Sequence, residues 1–151
     1  LAARLFHVDK AKSTLDVQYY IFENDTIGTV FAAHLLKAAQ RGVKVRILLD
    51  DMGTTGKDSL IQAVAAHPNI DLRLFNPNIL RTSFRNMALI LDVEHLGKRM
   101  HNKALIADGM AAIIGGRNIG DVYFASSPET LFLDYDVLTV GDVVRKLNKE
   151  F

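Results

Sequence analysis

Met100-His101-Asn102-Lys103-Ala104-Leu105-Ile106-Ala107-Asp108, followed after a short apolar run by Gly115-Gly116-Arg117-Asn118, decides how this chain is read. Two apolar runs, Ala104 to Ala107 and Met110 to Ile114, flank Asp108-Gly109. Asp-Gly between apolar runs is a strong hairpin signal, because both residues tolerate the positive φ that tight hairpin turns require. The first arm carries His101 and Lys103, which on a strand point to one face. An imidazole beside an ammonium suits chemistry on phosphate. The imidazole can attack phosphorus or move a proton, and the ammonium neutralises phosphate oxygens. Gly115 and Gly116 let the backbone approach closely, and Asn118 adds an amide donor. Asp108 lies an odd number of residues from Lys103, so on a continuous strand it faces away from it. Aspartate also favours turns by bonding nearby backbone, and Asp108 reads as structural rather than chemical.

The flanking sequence places this hairpin in an α/β layer structure. Leu1 to Lys12 carries apolar residues at helical spacing, and Thr14 to Phe22 alternates and is rich in Val, Tyr and Ile, as strands are. Thr26 to Gln40 shows a helical stripe closed by Arg41-Gly42, Val43 to Leu49 is a strand, Thr54 to Ala66 a helix ended by His67-Pro68, and Ile70 to Phe75 a strand. Ile119 to Ala125 reads as a short helical or loop segment, Leu131 to Val140 as a strand and Asp142 to Phe151 as a helix. Helices alternating with strands imply parallel pairing. The predicted fold is a mixed, largely parallel β-sheet sandwiched between helices, with residues 1–151 forming one unit.

Asn76 to Met100 breaks this rhythm. After Pro77 it mixes basic and apolar residues: Leu80, Arg81, Phe84, Arg85, Met87, Leu89, Ile90 and Leu91. A connection this long is unusual inside a compact domain, and it reads as a partly helical insertion at the mouth of the site. Its Arg and Phe residues suit a membrane surface or substrate, and its apolar stripe equally suits packing on the core.

Composition bounds the rest. The 151 residues are 49% hydrophobic and 23% charged, an ordinary globular balance that supports a real core. A net charge of +1 gives no global basic field, which argues against a protein living on nucleic acid. The absence of cysteine excludes disulfides, zinc-thiolate sites and thiol nucleophiles. No apolar run reaches the length of a membrane span. The chain begins with Leu1, so truncation at one or both ends is expected.

The His-x-Lys-x4-Asp and Gly-Gly-x-Asn motifs resemble the phospholipase D superfamily. Leu15 to Phe22, Leu35 to Asp50 (LLKAAQRGVKVRILLD) and Arg99 to Asp121 look like the first catalytic half of bacterial cardiolipin synthases of the two-motif type. The resemblance implies transfer of a phosphatidyl or phosphoryl group in two steps through a phosphohistidine, without metal or other cofactor. His101 is then the nucleophile, Lys103 and Asn118 hold phosphate, and Gly116 permits the close approach. The family's partner for the histidine is a carboxylate on a later strand. Asp134 occupies the matching place, with Asp136 the fallback and Glu129 less favoured beside Pro128.

Other polar residues carry plainer readings. Glu23 and Asp25 could touch substrate but better suit a helix cap. Asp50-Asp51 has the look of metal ligands, yet strand-end aspartates commonly start turns. His34 and His67 read as structural. Tyr19 and Tyr20 face opposite ways, one toward the core and one toward a cleft.

A complete site of this superfamily uses two His-x-Lys motifs, and this chain has one. The expected partner is therefore a second catalytic half, supplied by the same polypeptide or by a homodimer mate. The leading functional expectation is cardiolipin synthesis from phosphatidylglycerol and another phospholipid. The resemblance places that activity peripherally at the bacterial cytoplasmic membrane. The alternatives are a homodimeric nuclease or phosphodiesterase of the same superfamily, and an inactive half-site that only binds phosphate.

Overall fold

The computed structural model describes residues 1–77, 98–124 and 132–151. The described elements run α1 (Ala2–Lys10), β1 (Thr14–Tyr19), α2 (Thr26–Gln40), β2 (Lys44–Asp50), α3 (Asp58–Ala65), β3 (Ile70–Phe75), β4 (Lys103–Ala107), β5 (Ala111–Gly115), β6 (Asp136–Val140) and α4 (Asp142–Glu150). Short 3₁₀ turns lie at Asp51–Thr54 and Asp121–Tyr123. The expected insertion lies largely in residues 78–97, and Glu129 in 125–131, both outside the described residues.

The six strands form one sheet in the order β3-β2-β1-β4-β5-β6. β1, β2 and β3 pair in parallel, as the alternation of helix and strand demands. β4 joins β1 antiparallel, and the β4–β5 and β5–β6 pairs are antiparallel too. The sheet is therefore mixed: parallel on the side built by crossovers, antiparallel on the side built from the hairpin. At that hairpin Asp108 and Gly109 both carry positive φ, 53° and 62°.

Alternation along β1 sorts its side chains. Leu15, Val17 and Tyr19 enter one core with Leu105 and Ala107 of β4 and Val45, Ile47 and Leu49 of β2. α1 and α2 close that face with Val8, Phe31 and Leu35, and Phe31 is fully buried. Truncating such a ring to alanine costs about 3–5 kcal/mol. On the opposite face Ile106 and Ala112 pack under Val144 of α4, so helices lie on both sides of the sheet.

Three boundaries differ clearly from expectation, the first being β1, expected to reach Phe22 but ending at Tyr19, before the bend at Tyr20. The helix expected over Thr54 to Ala66 is a 3₁₀ turn followed by a shorter helix. Gly56, with φ 74°, separates the two, and the Asp50 carboxylate caps the turn by accepting from Met52 N–H at 2.9 Å. The strand expected over Leu131 to Val140 begins at Asp136, because its partner β5 ends at Gly115, directly opposite.

The strand directions assemble one edge. The carboxyl ends of β1, β2 and β3, the start of β4, the end of β5 and the start of β6 all lie there: Tyr19 pairs with Lys103, and Gly115 with Asp136. The edge beyond the carboxyl ends of parallel strands is where open α/β sheets place their ligands.

Candidate active site

Lys103 opens β4 and is 5% exposed. Its ammonium donates to the carbonyl oxygen of His101 at 2.8 Å and lies 5.3 Å from the centre of the Tyr20 ring. Burial pulls its pKa below the ordinary lysine value, and the nearby charge of Asp134 opposes part of that shift. His101 precedes the strand and is exposed, with its ring 4.9 Å from that of Tyr20. The two side chains thus meet on Tyr20.

Asn118 is 3% exposed, and its orientation is dictated by its neighbours. The backbone N–H of Ile21 requires an acceptor and finds the amide oxygen at 3.0 Å. The amide nitrogen is thereby turned the other way and donates to the Tyr123 hydroxyl at 3.0 Å. Among the described residues the second amide N–H has no acceptor.

Asp134 lies against Gly116, where a Cβ would overlap its carboxylate. That glycine is what lets the carboxylate approach the strand end and act on Lys103. Among the described residues no hydrogen bond joins Asp134 to the His101 ring. Asp136 is engaged elsewhere. It accepts two hydrogen bonds from Arg4, at 3.0 and 3.1 Å, and one from Arg117 at 2.9 Å. Burial pushes its carboxyl up, but the two guanidinium groups outweigh this and hold it below the usual carboxylate range.

Asp108 sits at the far end of the hairpin. Its carboxylate accepts from the backbone N–H groups of Lys12, Ser13 and Thr14 at 2.7–3.2 Å. It therefore ties the hairpin to the start of β1, a segment distant in sequence. Partial burial raises its pKa, but these N–H donors lower it more, for a net depression.

The remaining polar residues singled out in the sequence have partners within the fold. Asp25 caps α2 by accepting from Gly28 N–H at 2.9 Å, and it also accepts from Asp121 N–H at 2.6 Å. Glu23 pairs with Lys57 at 2.8 Å. His34 contacts Asp9 at 2.6 Å, and His67 accepts from Asn69 N–H at 3.2 Å. Among the described residues no cluster of His, Asp or Glu could hold a metal ion.

Asp50, fully buried, has a role that its sequence neighbourhood did not reveal. It accepts from Met100 N–H at 2.8 Å and from Arg99 at 3.2 Å. It thus anchors the backbone immediately before His101 to the end of β2. Arg4 was also hidden, because it reads as an ordinary helix residue. It is 3% exposed and donates to the Tyr19 hydroxyl at 2.9 Å. Its partners are remote in sequence, so no local signal could have found them.

An imidazole, a buried ammonium, an oriented amide and a carboxylate thus lie along one sheet edge. Residues 6–151 match the family model described as "Cardiolipin synthase, PLD-like domain", and the chain belongs to that family. Cardiolipin synthase C of Escherichia coli K12 is 46% identical over 150 residues, which are 99% of this chain and 32% of that protein. The chain thus spans about a third of the length of that relative. The fold is shared with Nuc of Salmonella typhimurium, a phospholipase D family member, at a TM-score of 0.67 and 19% identity, over 99% of this chain and 82% of that one. It is also shared with phosphatidylserine synthase of Haemophilus influenzae, at a TM-score of 0.72 and 13% identity, over 98% of this chain and 33% of that one.

Proposed function

We propose that this chain is one catalytic half of a phospholipase D-type phosphatidyltransferase that makes cardiolipin from phosphatidylglycerol and a second phospholipid. The observation that supports the reading is the contact of His101 and Lys103 with the Tyr20 ring, next to Ile21 whose N–H is bound by Asn118, in a chain of the cardiolipin synthase family. In this reading an imidazole nitrogen of His101 attacks phosphorus of the donor lipid. The bond from phosphorus to the head-group oxygen breaks, and a histidine of the second half gives that oxygen its proton. The same histidine then takes the proton of an acceptor hydroxyl. The acceptor oxygen attacks phosphorus, and the bond to His101 breaks.

Lys103 and the free amide N–H of Asn118 stabilise the charge gathering on the phosphoryl oxygens. Asp134 opposes the loss of charge that burial imposes on Lys103, and Gly116 makes room for the Asp134 carboxylate as Gly115 does for the backbone at the start of β6. Asp108 holds the hairpin that carries the motif. No metal or other cofactor is required, because these groups supply the charge stabilisation. Residues 1–151 act as a half domain, and the second half comes from the same polypeptide or from a second copy. The working place is the surface of the bacterial cytoplasmic membrane. Among the described residues no helix is long and apolar enough to cross it.

The test uses the full natural polypeptide with vesicles of phosphatidylglycerol and phosphatidylethanolamine and follows cardiolipin and the released head-group alcohol, glycerol or ethanolamine, by mass spectrometry. Wild type forms both, and His101→Gln forms neither. Turnover unchanged in His101→Gln would overturn the assignment. DNA cleavage with steep salt dependence and no lipid turnover would replace it with the nuclease reading.

A further inference from the structure

We propose that Tyr20 is a positioning residue of this site, its ring holding the His101 imidazole and the Lys103 ammonium in their working arrangement. The inference rests on the reading of His101 and Lys103 as the reacting pair.

His101 needs such a support. It is exposed and lies just outside β4, and among the described residues its ring makes no hydrogen bond. A histidine ring turns about χ2 in a broad, roughly two-fold well, so an unsupported one would sample many orientations. The Tyr20 ring lies 4.9 Å away at an interplanar angle of 50°, within the range where aromatic pairs attract. The same ring lies 5.3 Å from the Lys103 ammonium, within cation–π reach. One side chain therefore touches both groups, which Asp134 and Asn118 do not. A ring face also tolerates the imidazole in both charge states and offers no hydrogen bond that would compete with phosphate.

Tyr20 is itself fixed. It follows the last residue of β1, where the strand bends, so its side chain leaves the core face taken by Tyr19. Gly53, in the turn after β2, packs directly on its backbone carbonyl, and a Cβ there would overlap the Tyr20 oxygen. Its hydroxyl lies 3.7 Å from the Met52 sulfur in that same turn. The turn after β2 thus clamps the support for the motif at the start of β4.

The test compares Tyr20→Phe and Tyr20→Leu in the full natural polypeptide with a chromogenic phosphodiester, alongside wild type and His101→Gln. Phenylalanine keeps the ring, and its kcat stays within about threefold of wild type. Leucine loses kcat by about 10- to 100-fold with little change in KM or melting temperature, as expected for misaligned reacting groups. In proton NMR of wild type, nuclear Overhauser contacts join the Tyr20 ring to the imidazole resonances that His101→Gln removes. Those contacts persist in Tyr20→Phe, and they test the arrangement even if Tyr20→Leu fails to fold. Absence of the contacts in wild type, or full kcat in folded Tyr20→Leu, would overturn the inference while leaving His101 in place. Full activity of His101→Gln would instead remove the reading on which it rests.

Discussion

The Lys103 ammonium donates to the carbonyl oxygen of His101, so the second residue of the motif is held by the backbone of the first. A cation that is 5% exposed needs such a partner, yet burial still depresses its pKa. The folded value lies below the unfolded one, so the charged form costs stability at neutral pH. That cost is relieved only as the pH rises through the folded value toward 10.5, the unperturbed one. Lys103→Met keeps the length of the side chain and discards the charge. It is expected to raise the melting temperature by a few degrees while turnover falls about 10²- to 10³-fold. Calorimetry at pH 7 checks the first and an assay of phosphodiester turnover the second. A lower melting temperature would show that the ammonium is a net stabiliser.

Asp134 and Asp136 are near neighbours in sequence with separate tasks. Asp134 acts on Lys103, whereas Asp136 neutralises Arg4 and Arg117. Asp134→Asn is expected to lower turnover about 10-fold or more with little change in stability. Asp136→Asn leaves two guanidinium groups around a neutral amide and is expected to cost about 3 kcal/mol, the scale for breaking a buried pair. Its turnover per folded molecule stays within a few-fold of wild type. Urea titrations run beside initial rates separate the two, and equal loss of stability in both variants would remove the distinction.

Much of this arrangement was legible in the chain. α2 and β3 fall where periodicity placed them, because a helical stripe capped by Asp25 and a short apolar run bounded by turns specify themselves locally. The hairpin followed from Asp108-Gly109 for the same reason. The antiparallel attachment of β4 to β1 was not legible, since it depends on a connection whose path the local pattern does not fix. The supports of the site were hidden in the same way. Asp50 meets Met100, and Arg4 meets Tyr19 and Asp136, across distances that no spacing rule spans. Asp50-Asp51 resembled metal ligands because a buried strand-end carboxylate looks the same in sequence whether it awaits an ion or a backbone N–H.

Asp108 gives a dependence on pH that a single substitution can isolate. Its carboxylate collects the N–H groups of Lys12, Ser13 and Thr14, which would otherwise lie unpaired where the hairpin meets β1. Those donors hold its folded pKa below the ordinary value of 3.8. A carboxylate stabilised in this way binds its proton more readily in the unfolded chain than in the folded one. The stability it supplies is therefore fully present above about pH 4 and is lost as the pH falls through the folded value. Asp108→Asn keeps an acceptor oxygen and tolerates the positive φ of 53°. It is expected to cost about 1 kcal/mol at pH 7 and to flatten the acid limb of the stability curve. Asp108→Ala loses the acceptor and strains the turn, and its cost is expected to reach about 3 kcal/mol. Denaturant midpoints measured from pH 3 to pH 7 report both effects. An acid limb in Asp108→Asn as steep as in wild type would assign the pH dependence to Asp136, whose carboxyl is also held low by Arg4 and Arg117.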